Sequence, residues 1–116
     1  MAFQGRWTTE ASTQFEALQA MAAASLAKRA REKRTKTSKA EGLFKQVDKC
    51  VRLLLENPKH PGLHTHAYES IDHPYEKAGK VFEAYVQNQT PGAYRLFWCY
   101  GPGKGEITIL AITPHP

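Results

Sequence analysis

At 116 residues with 41% hydrophobic content, the chain has enough apolar material for one core and too little length to split readily, which predicts a single domain over residues 1–116. No apolar run approaches the roughly eighteen residues of a membrane helix, and the N-terminus lacks the charged-then-apolar order of a secretory signal, so a soluble cytoplasmic protein is expected. Cys50 and Cys99 have no CxxC partner and read as reduced apolar filler, not as disulfide or zinc ligands.

In chain order, Arg6-Trp7-Thr8-Thr9 has the aromatic and β-branched content of a short first strand. A first helix is predicted from about Glu10–Ser12, with Phe15, Leu18, Met21, Ala22 and Leu26 on one face. It runs into a basic stretch and breaks at the polar Thr35–Lys39. A second helix is marked by Leu43, Phe44, Val47, Cys50, Val51, Leu54 and Leu55, an apolar stripe at helical spacing. It must stop near Asn57, because Pro58 disfavours helical geometry in the residue before it.

Prolines and glycines between Lys59 and Lys80 predict an ordered, irregular connection. Three strands follow, over Val81–Val86, Tyr94–Tyr100 and Ile107–Ile112, joined by turns short enough to make an antiparallel meander. The expected fold is therefore α+β, two N-terminal helices packed on a small antiparallel sheet in the order β-α-α-β-β-β.

Three features carry chemical information. Lys28, Arg29, Arg31, Lys33, Arg34, Lys36 and Lys39 face a single acid, Glu32, giving a local charge of +6 in a chain whose total is +5. So dense a patch points to a polyanion or an acidic protein partner, although basic residues also favour a helix C-terminus. Within AYRLFWCY, alternation places Tyr94, Leu96, Trp98 and Tyr100 towards the helices and Arg95, Phe97 and Cys99 on the other face. Arg95 is expected to be exposed there, free to grip a phosphate or to pair across strands with Glu83. His60, His64, His66 and His73 crowd the irregular connection, yet no acidic or cysteine ligand falls at a regular offset, and no metal or other cofactor is expected. GPGKG at 101–105 lacks the GxxxxGK[ST] pattern and reads as a hairpin turn.

LLLENPKHPGLHTH closing the second helix, KVFEAYV as the next strand, AYRLFWCY after it and ITILAITPHP last together resemble the RelE/ParE family of bacterial toxins, most strongly over about Leu43–Pro116. The resemblance implies a toxin neutralised by a cognate antitoxin. In the RelE branch it implies a ribosome-dependent endoribonuclease that cleaves mRNA; in the ParE branch, a protein that poisons DNA gyrase by binding. A catalytically silent binding module is a third reading. Arg95 matches the family arginine at the scissile phosphate, and His115 falls near the basic position after the last strand. The lysine pair of the RelE branch is replaced here by Glu83 and Tyr85, and the position of its catalytic tyrosine would follow Pro116.

Independently of the family, cleavage by a ribose 2′-hydroxyl needs a base, an acid and cations, and needs no metal. Glu83 or His115 would serve as base and His115 as acid. Arg95 would be the phosphate clamp, Lys80 and Tyr85 secondary RNA contacts, and the basic run an RNA-binding patch.

Overall fold

The structure, a computed structural model, describes residues 2–88 and 91–115. Strand β1 (Gln4–Trp7) leads into helix α1 (Thr9–Arg31), helix α2 (Lys39–Glu56), a 3-10 turn (Pro61–Leu63) and strands β2 (His66–Ala67), β3 (Phe82–Tyr85), β4 (Tyr94–Tyr100) and β5 (Glu106–Pro114). The α+β class and the two-helix layer are as expected. The sheet is mixed instead of antiparallel: its order is β1-β5-β4-β3-β2, and β1 runs parallel to β5. Only β3, β4 and β5 are joined by hairpins that dictate direction; β1 reaches its edge position through the helices and is free of that constraint.

Thr8 caps α1 and Thr9 begins it, so neither belongs to the first strand. The Thr8 hydroxyl accepts from the Ala11 N–H and caps α1, satisfying a donor that the helix itself leaves free. The expected stripe on α1 is shorter than its pattern implied: Leu18 and Ala22 are buried, whereas Met21 and Leu26 are 59% and 50% exposed. The helix is hydrogen-bonded to the sheet at its start, by Thr8 Oγ1 donating to the Leu110 carbonyl and Gln14 Oε1 accepting from the Ile112 N–H. Its later turns lie beside α2 and the α1–α2 connection, with Ser25 bonded to Ser38 and Arg29 reaching the carbonyls of Arg34 and Thr35.

Helix α2 buries Val47, Cys50, Val51 and Leu54 against Leu63, Leu96, Trp98, Ile107, Ile109 and Ile112. Its start is a capping box, the Ser38 hydroxyl accepting from the Glu41 N–H and the Glu41 carboxylate accepting from the Ser38 N–H. The same carboxylate receives Arg29 Nε at 3.0 and 3.2 Å. The Ser38 N–H is the chief reason that the Glu41 carboxyl sits below its ordinary range, with Arg29 adding to it. A carboxyl lowered in the fold stabilises above its unfolded pKa and loses that contribution as pH falls through the folded value. Glu41→Gln is therefore expected to lower the Tm at neutral pH, with the difference from wild type shrinking below about pH 4; thermal melts across pH 3–7 check this.

On the sheet face away from the helices, Val81, Phe97, Cys99, Leu110 and Ala111 form a second, smaller core covered by Tyr68 and Ile71 of the β2–β3 connection. Burial pushes the Cys50 thiol up to about 12 and the Cys99 thiol, with help from the Glu76 charge, up to about 11, so both remain unreactive thiols. Among the described residues no helix is long and apolar enough to cross a membrane.

Candidate functional site

Beyond the small core, the same sheet face carries charge. Glu83 stands in β3 opposite Phe97 of β4 and His66 of β2. Paired on both sides, it is only 2% exposed. His66 Nε2 lies 2.5 Å from Glu83 Oε1, and His66 Nδ1 lies 3.0 Å from the His64 carbonyl oxygen. An imidazolium, a donor at both nitrogens, satisfies both contacts at once. Glu83 Oε2 is buried without a hydrogen-bond partner and faces His115 Nδ1 across 4.0 Å. The two imidazole side chains are 48% and 47% exposed, so a carboxylate that solvent hardly reaches lies between two rings that solvent does reach.

His115 reaches this face because β5 is irregular. Trp98 pairs with Ile109 and Phe97 with Ala111, leaving Leu110 as the extra residue of a bulge. Before it, Ile107 and Ile109 point to the helices; after it, Ile112 does, and Thr113 lies opposite Arg95. Strict alternation from Ile107 would have sent residues 113 and 115 into the helix-side core; the bulge reverses the phase. The His115 N–H donates to the Ala93 carbonyl at 2.8 Å and fixes the chain there.

Arg95 is not the exposed cation that its position suggested. It is 3% exposed, donates from one guanidinium nitrogen to the carbonyls of Gln87 and Tyr94 at 2.7 and 3.1 Å, and places its Cζ 3.7 Å from the centre of the Tyr85 ring. Nor does it pair with Glu83: Arg95 is registered with Tyr85, and Glu83 with Phe97, which makes the two charges diagonal neighbours on one face. A buried guanidinium persists because carbonyls and a ring face replace part of its hydration. Tyr85 in turn contacts His64 and His66, with ring centres 5.2 and 5.8 Å away. His64 holds a left-handed backbone, φ 48°, uncommon for a residue with a side chain.

The structure thus gathers Glu83, Tyr85, Arg95 and His115, and adds His64 and His66. Their signal in the sequence is the His-x-His spacing, which by itself suggests a metal pair; the left-handed turn at His64 and the start of β2 at His66 instead bring both rings against Tyr85. Among the described residues no three His, Cys, Asp or Glu side chains form a metal-holding group. Lys80 stands apart, lining a cavity with His73, Glu76 and the Gly101–Lys104 turn. Within the basic run, Arg29 is committed to Glu41, and Arg34 pairs with Glu32 at 2.9 Å. Lys28, Arg31, Lys33, Lys36 and Lys39 are exposed.

No protein-family model matches the chain, and no curated protein matches it by sequence. Solved structures do. The YoeB/ParE toxin from Agrobacterium tumefaciens superimposes with a TM-score of 0.62 at 10% identity, covering 97% of this chain and 99% of that one. This is the RelE/ParE toxin fold. The same fold is found in the YoeB dimer from Staphylococcus aureus, TM-score 0.57 at 9% identity over 100% of both chains. It is shared too by the archaeal RelE–RelB complex from Pyrococcus horikoshii OT3, TM-score 0.55 at 15% identity over 98% of this chain and 96% of that one.

Proposed function

We propose that this chain is the toxin of a toxin–antitoxin pair and acts as a metal-independent endoribonuclease on mRNA at the ribosome. The observation that carries the reading is the buried Glu83 carboxylate between two half-exposed imidazoles, beside a buried cation. Enclosed as it is, Glu83 is a positioning residue, and the proton-transfer roles fall to the rings that meet solvent. His115, with no hydrogen bond to the carboxylate, takes the proton of a ribose 2′-hydroxyl as its oxygen attacks the adjacent phosphorus. His66 gives up the longer of its two contacts: the Nδ1 proton leaves the His64 carbonyl for the departing 5′-oxygen as the P–O5′ bond breaks, while Nε2 stays on Glu83. The products are a 2′,3′-cyclic phosphate and a free 5′-hydroxyl, and exchange with water resets both rings. Arg95 contributes its field from beneath Tyr85, in surroundings where a fixed charge acts more strongly than in water.

The exposed cations at the α1–α2 junction suit phosphates of RNA or an acidic antitoxin. The solved RelE–RelB complex supports an antitoxin as partner.

His66→Ala and His115→Ala are each expected to slow RNA cleavage about 100-fold or more and to relieve growth arrest on expression. The Tm of His115→Ala should stay within a few degrees of wild type, because its ring is half exposed; His66→Ala strips the buried Glu83 carboxylate of its partner, should melt lower, and is assayed well below its own Tm. Growth arrest that persists in both folded variants with intact mRNA, together with blocked DNA supercoiling, would instead assign a gyrase-binding mechanism.

A further inference from the structure

On the helix-facing side of the sheet, at the edge where His64 and Thr65 enter β2, lies a second cavity of about 560 Å³, within the roughly 300–1,000 Å³ of ordinary ligand sites. Its walls include Phe82, Trp98 and Tyr100, three rings packed on one another with centroids 4.8, 5.0 and 6.0 Å apart. Tyr100 is 41% exposed, whereas Trp98 is 1% exposed. Two buried polar atoms among the lining residues, Trp98 Nε1 and Thr65 Oγ1, have no hydrogen-bond partner. Lys59 and His60 stand at the same cavity. His64 belongs to both places, lining the cavity and packing on Tyr85 in the Glu83 cluster.

We propose that this cavity receives one nucleobase of the RNA whose sugar–phosphate lies at His66 and His115. The inference rests on the ribonuclease reading above and names the subsite that would seat the substrate. A base has a flat π-face for Tyr100 and Phe82 and an acceptor edge for the indole N–H and the threonine hydroxyl, while Lys59 lies within reach of a flanking phosphate. An aliphatic ligand would leave both polar atoms unpaired, and a free phosphate would leave the rings unused. With His64 shared, one strand turning around the sheet edge engages both sites.

The test uses 15N-labelled full-length protein and a short single-stranded RNA with 2′-O-methyl riboses, which binds but cannot be cut. The Trp98 indole N–H resonance is expected to shift on titration and that of Trp7 to stay; an abasic oligomer of equal charge should move neither. Tyr100→Ala, at an exposed position, and Trp98→Phe, which keeps the ring and removes the donor, are each expected to weaken binding about tenfold. A Trp98 resonance unmoved by bound RNA, an equal shift with the abasic oligomer, or no RNA binding at all overturns the proposal. If the base-dependent shift appears but natural RNA is never cut, the subsite stands and the ribonuclease reading fails. If RNA is cut at wild-type rate by Tyr100→Ala and Trp98→Phe, the subsite alone fails.

Discussion

Leu54→Asp is expected to leave a chain with no cooperative thermal transition. Leu54 is fully buried, in the helix-side core with Val47, Trp98 and Ile109. Removing it forfeits about 2–5 kcal/mol of packing, and a carboxylate placed there without a partner costs several kcal/mol more. A domain of this size has about 5–15 kcal/mol in total. Circular dichroism melts decide the matter, with Leu54→Met, which conserves volume, as a control expected to lose less than about 1.5 kcal/mol. A cooperative Leu54→Asp melt within a few degrees of wild type would mean that α2 does not pack on the sheet through this stripe.

Arg95→Ala is expected to damage stability and function together. An exposed arginine could be removed at little structural cost, but here the truncation leaves the carbonyls of Gln87 and Tyr94 without this donor and uncovers the Tyr85 ring. The loss should be roughly 3 kcal/mol or more, about 10 °C or more in Tm. Cleavage assayed well below that melting point, where the variant is still folded, should fall about 100-fold or more, because the proposed mechanism places this fixed charge beside the reacting phosphate. Arg95→Lys keeps the charge and gives up the planar stacking, and is expected to lie between the two. A wild-type melt for Arg95→Ala would contradict the burial described above; a wild-type cleavage rate in the folded variant would remove Arg95 from the mechanism.

The elements that were legible in the sequence are those with a strong local signal. The stripe on α2 and the β3–β4–β5 meander follow from spacing and from glycine-rich turns, and the Glu83, Tyr85 and Arg95 positions follow from alternation once the strands are placed. What was not legible depends on contacts made late. Arg95 looked exposed because alternation assigns a face and not a depth; the β2–β3 connection, whose Tyr68 and Ile71 cover the second core, carries no periodic signal. β1 gave no hint of its parallel pairing, since its partner lies almost a whole chain away. The bulge at Leu110 is hidden in an unbroken apolar run, ITILAI, in which an extra residue changes no composition. Yet that bulge decides which face receives His115. The spacing of His66 suggests only metal ligation, because its acidic neighbour in space, Glu83, lies seventeen residues further along the chain.

The most direct measurement is the chemistry of the cut. Translating ribosomes programmed with a defined mRNA are incubated with the purified protein, and the new ends are analysed; the same message is then made with a single 2′-deoxy ribose at the mapped position. The account predicts a 2′,3′-cyclic phosphate and a 5′-hydroxyl from the natural message, and no cut at the deoxy position, because the attacking oxygen is gone. Cleavage that persists at the 2′-deoxy position, or ends bearing a 5′-phosphate, would contradict it.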